Sequence, residues 1–147
     1  MDKKFMKRAL ELARTAALNG EVPVGAVIVK NGKILAEGYN KREQKQSALS
    51  HAEIEAITQA NKALSSWRLD GCEIYVTLEP CPMCAGAILN SRMSEVIFGA
   101  FDKELGFVDS VTNIFSLTNS KTQVFCGICE EECAKLLEDF FKAVRDK

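Results

Sequence analysis

The stretch from Cys72 to Ala100, "CEIYVTLEPCPMCAGAILNSRMSEVIFGA", constrains the fold more than any other part of the chain. Two runs rich in β-branched and aromatic residues, Cys72 to Leu78 and Glu95 to Ala100, read as buried strands. Between them Pro80 ends the first run, Pro82 suits the first turn of a helix, and "CAGAIL" continues that helix. Strand, helix and strand in that order form a crossover, which makes at least part of the sheet parallel. Ligands in such sheets favour the carboxyl ends of the strands.

The flanking segments extend this pattern. Phe5, Ala9, Leu12, Ala13 and Ala16 recur at helical spacing, and Asn19-Gly20 stops the helix. Val24 to Val29 and Lys33 to Tyr39 enclose Asn31-Gly32, the pair best suited to a type I′ hairpin turn. Polar "NKREQKQS" reads as a loop, and a second helix follows between His51 and Ala63. Phe101 to Ser120 reads as irregular surface chain around a short helix at Val111 to Leu117. Gln123 to Cys126 forms a last strand, and Cys133, Leu136, Leu137, Phe140 and Val144 mark the apolar face of a C-terminal helix. The expected fold class is α/β, a mixed five-stranded sheet with helices on both faces, in one domain spanning residues 1–147.

A chain of 147 residues buries roughly 68–70% of its unfolded surface, enough for one continuous core. The basic start is interrupted by Glu11 and Arg14, so it reads as neither a signal peptide nor a spanning helix, and a cytoplasmic location is expected with no membrane partner. The six cysteines are then reduced thiols whose clustering points to metal or redox chemistry. The net charge of −1 provides no general attraction for nucleic acid, so any RNA site must be a local basic patch.

"EPCPMC" places Cys81 and Cys84 on one side of the first turn of a helix, where two thiolates hold one metal ion. The helix dipole and a bound cation both favour thiolate, and zinc suits such a pair. His51 is the only histidine in the chain. His51, Cys81 and Cys84 would balance a zinc dication and leave one open position, where water has its pKa brought down to about 7. Glu53, two residues past His51, is poorly placed to bind the same ion but suited to carry protons between water, a ring nitrogen and a leaving amine.

Each motif has a plainer reading. "SHAE" is also a capping box, with Ser50 as the cap and Glu53 reaching back to its amide. Cys81 and Cys84 alone could be a redox pair or half of a structural zinc site, with a fourth ligand from "CGICEEEC". Cys126, Cys129, Cys133 and Cys72 read better as small packed hydrophobes. Combined in one chain, H-x-E and P-C-x-x-C form the signature of zinc nucleobase deaminases.

Five segments carry a resemblance to the cytidine and deoxycytidylate deaminase superfamily: "GEVPVGAVIV", "GYN", "HAEIEAI", "SWRLDGCEIYVTLEPCPMCAGAI" with "SRMSEVIFGA", and "EECAKLLEDFF". Trp67-Arg68-Leu69 and the C-terminal helix are most similar to its bacterial tRNA-specific adenosine deaminases. The resemblance implies a cytidine deaminase-like three-layer α/β/α fold with one zinc per subunit on His51, Cys81 and Cys84. It implies that Glu53 shuttles protons, that Asn40 hydrogen-bonds a flipped nucleoside, and that Val22, Ala52 and Leu78 line the base pocket. It further implies a homodimer that binds a tRNA anticodon stem-loop and converts the wobble adenosine to inosine, releasing ammonia. Arg42, Lys45, Lys121, Lys142 and Arg145 are candidate phosphate contacts.

The chain departs from the tRNA enzymes after "FGA", where it has Phe101, "ELGFVDS" and "NSKT". "EPCPMC" and the "GF-D-S" stretch are also similar to guanine deaminases. The alternative is therefore a guanine, cytosine or nucleoside deaminase acting on a free base or nucleoside. A third reading is a zinc-stabilised binding module in which Glu53 serves only the helix cap.

Overall fold

A computed structural model describes residues 1–146. Helix α1, Lys3–Leu18, starts where the Asp2 side chain accepts from the Lys4 amide at 3.0 Å, and buries Phe5, Met6, Ala9, Leu12, Ala13 and Ala16 along one stripe. Strands β1, Gly25–Lys30, and β2, Lys33–Tyr39, pair antiparallel across Asn31 (φ 53°) and Gly32 (φ 75°). Two positive φ values in succession are what a type I′ turn requires, and Asn-Gly meets that demand at little strain.

The remaining elements are α2, Arg42–Lys45; α3, Ala52–Leu64; β3, Cys72–Leu78; α4, Pro82–Ser91; β4, Glu95–Ala100; α5, Ile114–Leu117; β5, Gln123–Phe125; and α6, Glu130–Arg145. The sheet order is β2-β1-β3-β4-β5, with β1 antiparallel to both of its neighbours and the β3–β4 and β4–β5 pairs parallel. The expected mixed five-stranded sheet is therefore present.

Side-chain alternation along each strand divides the core in two. Ala26, Ile28, Ile74, Val76, Val96 and Phe98 pack with α3, α4 and α5, whereas Val27, Val29, Tyr75 and Ile97 pack with α1 and Cys133 of α6. The central strands β1, β3 and β4 are covered on both faces, which explains their nearly continuous apolar sequences. Three layers result.

Gly38 sets how closely α3 approaches the sheet. A Cβ there would collide with the Ala52 carbonyl and the Ala56 amide, so only glycine lets the first turns of α3 rest on β2. Gly38→Ala is expected to destabilise the fold by about 1–3 kcal/mol, the usual cost of overpacking, as read by urea denaturation. An unchanged midpoint would show that α3 can shift freely.

Three local expectations are corrected. "NKREQKQS" is not all loop, because Arg42–Lys45 forms a short helix. Its leading amides, Glu43 and Gln44, donate to the buried Glu21 carboxylate at 3.1 and 2.8 Å, a distant partner that local pattern does not reveal. The stretch Phe101 to Ser120 is not a surface segment, since Val108 and Phe115 are buried in the core. Cys126 is exposed and not packed, because β5 is only three residues long and ends one residue before it.

Candidate active site

Two helix N-termini meet at the carboxyl end of the β3 strand. His51 is the N-cap of α3 and Cys81 the N-cap of α4, and neither side chain caps its own helix. Both are free to face the gap between the helices. Cys84, on the first turn of α4, is fully buried.

His51 Nδ1 lies 3.6 Å from Cys81 Sγ and 3.5 Å from Cys84 Sγ, and the three donor atoms all fall within 4.8 Å of one another. A tetrahedral zinc with bonds of about 2.3 Å to sulfur and about 2.0–2.1 Å to nitrogen separates such donors by about 3.6 Å. The nitrogen–sulfur distances therefore fit one ion between them. Among the described residues this is the one group of His, Cys, Asp or Glu so spaced.

The titration of these groups reflects their crowding. A hydrogen bond with Cys84, aided by His51, draws the Cys81 thiol down to about 4. The same bond, together with burial, pushes Cys84 well above the ordinary thiol range. His51 is raised, chiefly by its hydrogen bond to Cys81. Without a metal, crowding thus favours the thiolate at Cys81 and the thiol at Cys84, and a cation in the same place would let both sulfurs be thiolate.

Glu53 follows on the first turn of α3 and is only 4% exposed. It lies in the stripe with Ala56, Ile57 and Ala60, so helical spacing alone aims this carboxylate inward. Burial pushes it up to about 7, opposed by its own backbone amide and by His51. The capping-box reading is overturned. The helix begins at Ala52 with His51 as its cap, and the Ser50 amide donates to the Ser47 carbonyl, leaving Glu53 no part in the cap.

His51, Glu53 and Cys81 line a cavity of about 540 Å³, large enough for a nucleoside-sized ligand. Asn40, Val22, Ala52 and Leu78 all line it. The Asn40 side chain donates to the Val22 carbonyl at 3.3 Å and accepts from the Arg42 amide at 3.2 Å, which holds its plane fixed. Of the candidate phosphate contacts, Arg42 lines the cavity, Lys45 is paired with Glu55, and Lys121 lines a separate depression.

Sequence reasoning missed part of the cavity wall. Lys103, Glu104 and Leu105 line the cavity from the loop after β4, and Leu137 and Phe141 reach it from α6. Glu79, 2% exposed, binds that loop through its carboxylate. A charged residue directly after an apolar strand, just before Pro80, was the available signal.

Fold and site together define a nucleobase-deaminase type of enzyme. The chain belongs to the MafB19-like deaminase family, whose pattern matches residues 1–145. It is 47% identical to the tRNA-specific adenosine deaminase of Bacillus subtilis, across 99% of this chain and 92% of that one. A solved structure from a study of A-to-I editing by tRNA:A34 deaminases superposes with a TM-score of 0.89 at 40% identity, covering 92% of this chain and all of the other. A guanine deaminase of Bacillus subtilis is 38% identical but superposes at only 0.66, over 80% of this chain and 76% of its own. The resemblance to bacterial tRNA-specific adenosine deaminases is borne out. Among the described residues, no helix is long and apolar enough to cross a membrane.

Proposed function

We propose that the chain is a zinc-dependent hydrolytic deaminase that converts adenosine to inosine at the wobble position of a tRNA anticodon, releasing ammonia. The observation that carries the chemistry is the buried Glu53 carboxylate beside three donors spaced for one zinc ion. The likeness to tRNA-specific adenosine deaminases over nearly the whole chain supports the substrate.

His51, Cys81 and Cys84 would hold the zinc, one ion per subunit. When bound, zinc makes water acidic enough to act as a nucleophile at neutral pH. Water adds to C6 of the base and the C6–amino bond breaks, so the products are inosine and ammonia. Glu53 takes a proton from water, delivers it to the ring nitrogen, and carries a further proton to the departing amine. Asn40, fixed by Val22 and Arg42, can donate and accept at the nucleoside, while Val22, Leu78 and the Ala52 backbone flank the base.

A base held in a folded loop must be turned out to enter the cavity, and an unpaired anticodon base makes that inexpensive. Arg42 is the candidate phosphate contact at the cavity itself. A cytoplasmic homodimer, with the anticodon stem-loop gripped near the subunit boundary, completes the reading.

Zinc-loaded protein incubated with an anticodon stem-loop is expected to produce inosine at the wobble position, read by sequencing. Unchanged adenosine would reject the tRNA substrate. Ammonia release from free guanine, cytosine or nucleosides would then establish the second reading, which the 38% identity to a guanine deaminase supports.

A further inference from the structure

Glu79 lines the cavity between Leu78 and Cys81, one of the three clustered donors, and its carboxylate is fully engaged elsewhere. It is turned to the loop that follows β4. Oε1 accepts from the Asp102 amide at 3.1 Å and from the Ser110 hydroxyl, and Oε2 accepts from the amides of Asp109 and Ser110 at 2.9 and 2.8 Å. Four donors from both ends of one loop thus converge on one buried carboxylate. Gly106 closes over it, since a Cβ at that position would collide with the Glu79 carboxyl atoms.

The span between the pinned ends is ordered in turn by Asp102. Its side chain accepts from the amides of Glu104 and Leu105, both at 3.1 Å, and its carbonyl accepts from Gly106 at 2.8 Å. Lys103, Glu104 and Leu105 line the same cavity as Asn40 and Val22. Hydrogen bonds to a charged acceptor are stronger than neutral ones, and a polar network buried with all its members paired has few alternative arrangements.

We propose that Glu79 is a positioning residue: by pinning both ends of the 102–110 loop, it holds residues 103–105 as a fixed wall against which the substrate nucleotide is set. The assignment rests on the deaminase reading above. Glu79 touches no reacting atom in this arrangement and acts through the loop.

Glu79→Ala is expected to lower kcat/KM on an anticodon stem-loop by about 10- to 100-fold, mostly as a rise in KM, with zinc content unchanged. The amides of Asp102, Asp109 and Ser110 should lose hydrogen-exchange protection. Glu79→Gln keeps the shape but turns an NH2 toward two donors, so its effect should be intermediate. A fall in kcat with KM unchanged, loss of zinc, or undisturbed exchange at the loop would each overturn the assignment. Should Glu79→Ala not fold, Gly106→Ala and Ser110→Ala perturb the same contact from the loop side, and a KM on the stem-loop unchanged in both would overturn it as well. Inactivity of the wild-type protein on the stem-loop would instead reject the tRNA reading. The same KM comparison then passes to whichever base or nucleoside releases ammonia.

Discussion

Replacing Glu53 by glutamine lowers kcat by a factor of about 10² to 10⁴, the usual consequence of losing a general acid–base group. The substitution preserves shape, so zinc content should remain at one ion per chain. Folding stability should be equal or greater, because a buried carboxylate is costly to keep and a neutral amide is less so. Glu53 occupies a helix position whose neighbours at three and four residues, Ala56 and Ile57, are core residues. An acidic side chain in that stripe opposes stability, and activity is the function that would retain it. Steady-state kinetics with elemental analysis and a denaturation curve test all three expectations. Full activity in Glu53→Gln would remove the proton-transfer role and leave the carboxylate unexplained.

Replacing His51 by alanine removes zinc and activity together. Two thiolates alone leave a dication with half of its preferred tetrahedral donor set, and no other imidazole exists in the chain to substitute. Because such a site exists only in the folded state, zinc contributes to stability by mass action, about 4 kcal/mol when free metal exceeds its dissociation constant 1,000-fold. For a chain of this size that corresponds to a shift in Tm on the order of 10 °C. Chelation should therefore lower the Tm of the wild-type protein by that amount and leave His51→Ala unaffected. A variant that still carries one zinc per chain would show that the metal is held elsewhere.

The strands were legible because each is a short run of β-branched and aromatic residues closed by punctuation. Cys72–Leu78 and Glu95–Ala100 appear at the bounds read from sequence. Asn31-Gly32 was equally clear, since few residue pairs tolerate two consecutive positive φ values. The site residues were legible for a different reason. Metal ligands and a proton carrier come from a small set of side chains, and their spacing on helix starts is short-range information.

What stayed hidden was long-range hydrogen bonding by buried carboxylates. Glu21 gathers the amides that begin Arg42–Lys45, and Glu79 draws the 102–110 loop inward. Neither has a hydrophobic period to announce it. Cys126 was misread for a related reason, as its exposure depends on where a three-residue edge strand happens to stop.

The sequence by itself determined the strand and helix segments, the hairpin turn, and which side chains are chemically able to bind zinc or move a proton, because periodicity, backbone preference and side-chain chemistry are local. Only the tertiary structure decided that His51, separated by thirty residues from Cys81, stands 3.6 Å from it, that Glu53 lines the cavity and plays no part in a helix cap, and that the Glu79 carboxylate gathers both ends of the 102–110 loop. Those outcomes depend on how the sheet stacks its helices, and that packing is settled by contacts between residues far apart in the chain.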